Sequence, residues 1–190
     1  LPVAWAGNGH SAPLPAPPAL AAKSWLLYDF TSDRILASRD GNKRIEPASL
    51  TKLMTAYLTF DAIKHGTLTL NQKLDIPAAA IRRNRNESRM LLKTGQTVSV
   101  DELLRGLIVQ SGNDAAIALA ISVAGNVDAF VQMMNNDTKR LGMENTHFAN
   151  PTGLPDAQHF STAYDIALLA AAILNDFPQY YPIFGLRNFT

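Results

Sequence analysis

Ser49 and Lys52 stand three residues apart in the run Pro47-Ala48-Ser49-Leu50-Thr51-Lys52, where Pro47 suits the first turn of a helix because its missing N–H would be unpaired there anyway. Residues i and i+3 share a helical face with about 5–6 Å between Cβ atoms, so this spacing brings an amine to a hydroxyl. A serine hydroxyl is a poor nucleophile at neutral pH unless a neighbouring group takes its proton as the new bond forms. Lysine can be that base only when neutral, and burial and the positive end of the helix macrodipole both favour the neutral form. The Ser49 backbone N–H, near the same helix end, can help hold an oxyanion. Taken alone, the tetrapeptide is more often a helix cap with a solvated lysine beyond it.

Ser111-Gly112-Asn113 falls where two apolar segments meet, so a short polar turn is held between rigid supports. Ser111 can relay or orient a proton, and the Asn113 amide offers a donor and an acceptor, enough to fix a substrate amide by two hydrogen bonds. The bland reading is a helix-to-helix turn that breaks at Gly112 and is capped by Asn113 or Asp114.

S-x-x-K followed by S-x-N is the motif order of penicillin-binding proteins and serine β-lactamases. The chain resembles the low-molecular-weight serine D-alanyl-D-alanine carboxypeptidases over the run from Ile45 to Thr55, the run from Leu103 to Ala115, and Asn150-Pro151-Thr152-Gly153-Leu154-Pro155-Asp156. The resemblance implies that Ser49 is the acylated nucleophile, Lys52 the base, Ser111 the proton relay and Asn113 the ligand for the substrate backbone. It implies hydrolysis of the terminal D-Ala-D-Ala bond of peptidoglycan stem peptides through an acyl-enzyme, acylation of the same serine by β-lactams, no cofactor and no metal, and an exported, periplasmic or cell-envelope location.

The family's third motif, K-T-G, belongs on a strand after S-x-N. Here Lys93-Thr94-Gly95 precedes it, ahead of a capping box, and is rejected as that motif. The implied fold is therefore α+β and penicillin-binding-protein/serine β-lactamase-like, with a helical subdomain plus part of an antiparallel sheet. The chain is expected to be the front part of a longer protein, with the C-terminal strands either following these residues or supplied by a second polypeptide, as after proteolysis. Residues 23–190 would form the N-terminal portion of the catalytic domain. Within the same fold, a class A β-lactamase would need a carboxylate to activate the deacylating water, commonly in an E-x-x-x-N segment, and no Glu here has Asn four residues on. A D,D-endopeptidase would share the motifs. A non-catalytic cell-wall-binding or β-lactam-sensing module would share the fold, although intact Ser49, Lys52, Ser111 and Asn113 speak for retained chemistry.

The elements that must position these residues follow from periodicity and punctuation. Trp25 to Phe30 and Arg34 to Ser38, joined by Thr31-Ser32-Asp33, read as a β-hairpin. A helix runs from near Pro47 to Gly66, with Leu50, Leu53, Met54, Tyr57 and Leu58 anchoring it in a core. Residues 67–97 have poor period and high charge and read as loops and short pieces. Their arginine-rich stretch Arg82 to Arg89 is either a solvated loop or a rim that attracts an acidic ligand. Ser99 with Glu102 forms a capping box before the Leu103, Leu104, Leu107, Ile108 stripe. Asp114 to Ala124 reads as a helix buried on nearly all sides. Further helices are expected from about Asp128 to Leu141 and from Thr162 to Asn175, with a loop over His147 to His159 between them.

Bulk properties narrow the alternatives. With 190 residues and 47% hydrophobic content, one folded domain with a real core is expected, apart from a Pro/Ala-rich tail at residues 1–22. A net charge of +1 gives no field to steer nucleic acid, and no aromatic platform interleaves the arginine stretch. The absence of cysteine removes a disulfide framework and a thiolate nucleophile. His10, His65, His147 and His159 are scattered without a ligand pair at short spacing. No apolar run approaches the roughly 18 residues that span a bilayer.

Overall fold

A computed structural model of the protein describes residues 16–81 and 87–189. Residues 16–22 adopt no regular structure and are exposed; the remainder of the expected tail, and residues 82–86 of the arginine stretch, lie outside the described residues. Strands β1 (Trp25–Asp29) and β2 (Arg34–Arg39) pair antiparallel, with a bulge at Leu27/Tyr28. They form the expected hairpin, which packs on α5 (Ala163–Asp176) through the edge-to-face pair Tyr28–Tyr164.

Helix α1 (Lys52–Lys64) is preceded by a separate 3-10 turn over Ala48–Thr51. The expected single helix from Pro47 is thus corrected: Ser49 sits on the tighter turn and Lys52 opens α1. The anchoring set is corrected with it. Met54, Tyr57 and Leu58 are buried, whereas Leu50 is 50% exposed, because the 3-10 turn swings it away from the core face of α1.

Two three-residue strands make a second antiparallel pair: β3 (Lys73–Asp75) inside the region read as loops and short pieces, and β4 (Thr97–Ser99) starting at its last residue. Helix α2 (Val100–Val109) starts on the expected capping box, with Ser99 Oγ accepting from Glu102 N and Glu102 accepting from Ser99 N. Helix α3 (Asn113–Ala124) is buried from Asn113 through Ala120 and packs against α1, α2 and α4 (Val127–Arg140). Its small residues let three helices approach it closely while Ile117 and Leu119 fill the space between them. Helix α6 (Tyr181–Phe184), which the sequence did not suggest, lies against α2.

Met54, Phe60, Leu103, Leu104, Leu107, Leu119, Phe130, Met134 and Phe148 belong to one buried core, to which α1, directly after the 3-10 turn, and α2, directly before the S-x-N turn, both contribute. Such a buried aromatic or long aliphatic side chain is worth about 2–5 kcal/mol against truncation to alanine. Two isolated bridges, Ile45 with Ser161 and His147 with Phe160, tie the segment entering α5 to the segment ahead of the 3-10 turn and to the chain leaving α4.

Candidate active site

The 3-10 turn delivers the first constellation. Ala48 adopts a left-handed φ of 47°, and Ser49, one residue on, is exposed while Lys52 is buried to 5%. In a three-residue-per-turn helix, side chains at i and i+3 eclipse, so the contact is at least as favourable as on an α-helix. Lys52 Nζ lies 3.3 Å from Ser49 Oγ and donates to the Thr152 carbonyl at 2.8 Å. Burial of the amine pushes its pKa down to about 8, while the negative charge of Glu87 opposes the fall. A neutral amine can keep its N–H on Thr152 and turn its lone pair to the Ser49 proton.

The second constellation reaches the same hydroxyl. Ser111 Oγ donates to Ser49 Oγ at 3.0 Å, and Ser111 is also left-handed, at φ 56°. Strain of about 1–3 kcal/mol at a non-glycine residue in this region persists only where surrounding structure enforces it. The enforcement is visible. Gly112 N donates to the Gly106 carbonyl, and the next residue, Asn113, opens α3 with its backbone N–H on the Ser88 carbonyl at 2.8 Å. Asn113 is buried, and its Nδ2 donates to Glu87 Oε2 at 3.1 Å.

All four residues singled out from the sequence therefore converge. Ser49 and Asn113 border a cleft of about 180 Å³ with Ala48, Glu87, Thr152 and Gly153. On its other side, Ser49, Lys52 and Ser111 border an apolar depression of about 390 Å³ with Leu50, Ile108 and Phe184. The exposed Leu50 faces this depression. Lys93, Thr94 and Gly95 are exposed in a turn that is closed by Gly95 N on the Ile76 carbonyl and borders neither cleft.

Three supporting groups carried no role at the site in the sequence reading. The Thr152 carbonyl is one, and a backbone acceptor leaves no side-chain signature. Its loop is folded around Asn150 Oδ1, which accepts from Thr152 N, Thr152 Oγ1 and Gly153 N at 2.8–3.1 Å. Gly153, at φ 84°, brings that loop against the 3-10 turn that carries Ser49; a Cβ there would stand 1.8 Å from the Ala48 carbonyl oxygen. The second is His159, whose Nδ1 accepts from Ala149 N and whose Nε2 is 2.7 Å from Thr51 Oγ1. Because Nδ1 accepts an N–H, the ring proton sits on Nε2 and pins Thr51, the residue before Lys52, and burial lowers the pKa of the ring. The third is Asp114, a buried carboxylate that accepts from Met90 N and Leu92 N at 2.9 and 3.1 Å and fastens the segment after Glu87 to α3. Among the described residues, no group of three His, Cys, Asp or Glu side chains gathers to hold a metal ion.

Comparison with known proteins gives one answer. The profile of the D-alanyl-D-alanine carboxypeptidase family, peptidase S11, matches residues 11–190. D-alanyl-D-alanine carboxypeptidase DacA of Haemophilus influenzae is 41% identical over 175 residues, covering 92% of this chain and 44% of its own length. The crystal structure of penicillin binding protein 5 from Haemophilus influenzae superposes with a TM-score of 0.89 at 40% identity, over 92% of this chain and 51% of that one. Penicillin-binding protein D2 of Listeria monocytogenes, solved in a cefotaxime-bound form, gives a TM-score of 0.82 at 28% identity, over 93% of this chain and 71% of that one. The fold is the penicillin-binding-protein fold, and the chain spans less than half the length of the DacA relative it matches.

Proposed function

Because the chain belongs to the D-alanyl-D-alanine carboxypeptidase family, we propose that it carries the nucleophile half of a serine D-alanyl-D-alanine carboxypeptidase, which removes the terminal D-Ala of peptidoglycan stem peptides. The observation that carries this is the convergence of the Lys52 amine and the Ser111 hydroxyl on one exposed hydroxyl, that of Ser49.

Neutral Lys52 accepts the Ser49 proton as Oγ attacks the carbonyl carbon of the penultimate D-Ala. Ser111, bonded to the same oxygen, relays a proton to the departing amine, and free D-Ala leaves with the acyl group on Ser49. Water then attacks the ester, a proton returns to Ser49, and the shortened stem peptide is released. The Asn113 amide pairs with the peptide backbone of the substrate and holds the scissile bond over Ser49. A β-lactam presents its strained carbonyl at the same place and acylates the same oxygen.

Residues 23–190 are read as the N-terminal portion of the catalytic domain and residues 1–22 as a tail. The protein works in the cell envelope, on the periplasmic side. The exposed apolar side chains of the β1–β2 hairpin support a further segment that covers this sheet and adds strands to it. The test is labelling of the complete protein with a fluorescent penicillin: the wild type should label, and Ser49→Ala should abolish the label while leaving the thermal midpoint unchanged. A folded wild type that takes no label sinks the reading, and prompt release of the label points to a β-lactamase instead.

A further inference from the structure

Glu87 brings a carboxylate into the site from the segment ahead of S-x-N. It borders the cleft of about 180 Å³ together with Ser49, Asn113 and Thr152, and its Oε2 accepts from Asn113 Nδ2 at 3.1 Å. The backbone there is fastened on the following residues: Asn113 N donates to the Ser88 carbonyl, and the Asp114 carboxylate accepts from Met90 N and Leu92 N. An ionised carboxylate only accepts hydrogen bonds, so the end of the Asn113 amide that faces it must be the NH2, which sends the amide oxygen the other way. The flipped amide would set oxygen against oxygen and forfeit a charge-assisted bond.

We propose that Glu87 is a positioning residue of the acyl-transfer site: by accepting one N–H of Asn113, it fixes that amide so that its second N–H and its carbonyl oxygen meet the substrate backbone in one orientation. This rests on the role given to Asn113 above. The carboxylate has a second effect, since its charge favours the ammonium form of Lys52 against the burial that disfavours it. The Thr152 carbonyl and the Ser49 hydroxyl, which touch the Lys52 amine directly, are uncharged.

The experiment measures the second-order rate of acylation by a penicillin against pH, for the complete wild-type protein, E87Q and E87A, alongside their thermal midpoints. E87A should acylate roughly 10-fold more slowly at its plateau, the scale of one lost hydrogen bond to a charged group. E87Q, whose amide oxygen still accepts, should recover most of that rate. In both variants the acid limb should move to lower pH, because without the negative charge Lys52 gives up its proton more readily, and the midpoints should match the wild type. Plateau rates and acid limbs identical in all three overturn the proposal. Should E87A fail to fold, E87L, of similar bulk but with no acceptor, takes its place, and a plateau rate equal to the wild type's overturns the proposal equally. A folded wild type that is never acylated counts against the functional reading, not against this one.

Discussion

Lys52 works against its own solvation. Its amine is buried, its pKa is brought down to about 8, and its remaining contacts are a carbonyl and a hydroxyl that tolerate the neutral form. The sign of the pH dependence follows. Below about pH 8 the amine is mostly an ammonium with no lone pair for the Ser49 proton, and above it the base is free. Acylation by a penicillin should therefore rise with pH through an apparent pKa of about 8. Lys52→Arg, which stays charged at every accessible pH, should lower the rate by about 10²–10⁴-fold, the usual worth of a positioned base; stopped-flow acylation checks both. At this scale the sequence was informative because i and i+3 spacing is local and a turn of either helical type satisfies it. Glu87 and the Thr152 carbonyl could not be read, one because a charged residue in a charged stretch has no distinguishing neighbourhood, the other because its side chain is irrelevant to its contact.

The elements that matter most are two turns and the loop between them. The 3-10 turn at Ala48–Thr51 and the loop at Asn150–Leu154 meet so closely that only hydrogen fits at Gly153. Gly153→Ala combines a left-handed backbone with a Cβ driven into the Ala48 carbonyl, neither of which a flexible side chain can relieve. It should cost about 1–3 kcal/mol of stability and also displace Ser49 from Lys52. The expected result is a lower thermal midpoint together with loss of penicillin labelling; labelling at the wild-type rate would mean the loop retreats without moving the nucleophile. Elements with strong local signals, namely the Ser99–Glu102 capping box, the apolar stripe of α2 and the small-residue run of α3, were legible before any coordinates. Strands β3 and β4 were not, since three residues hold too little alternation to register, and they exist because Val98 and Ile76 are buried by tertiary packing. The break between the 3-10 turn and α1 was hidden too, as was the positive φ of Ala48, at which that turn opens.

Over the whole molecule, burial is uneven. The helical body is closed around α3, whereas the β1–β2 hairpin exposes Leu27, Phe30, Ile35 and Leu36, each between 48% and 58% accessible. A two-stranded sheet with both edges open and such side chains exposed favours association with other chains. Residues 1–190 purified alone should self-associate in a concentration-dependent way by light scattering. A Leu27→Lys/Leu36→Lys double variant should stay dispersed at little cost in thermal midpoint, because each exposed position contributes within about 0.5 kcal/mol. A dispersed wild type would show that the hairpin face needs no cover. The contacts that make the site are long in sequence: 62 residues separate Ser49 from Ser111, 100 separate Lys52 from Thr152, and 108 separate Thr51 from His159. During synthesis at about 5–20 residues per second, the lysine emerges some 5–20 s before the carbonyl that will hold it. Until that loop arrives the Lys52 amine lacks its backbone acceptor, and the burial that lowers its pKa is incomplete.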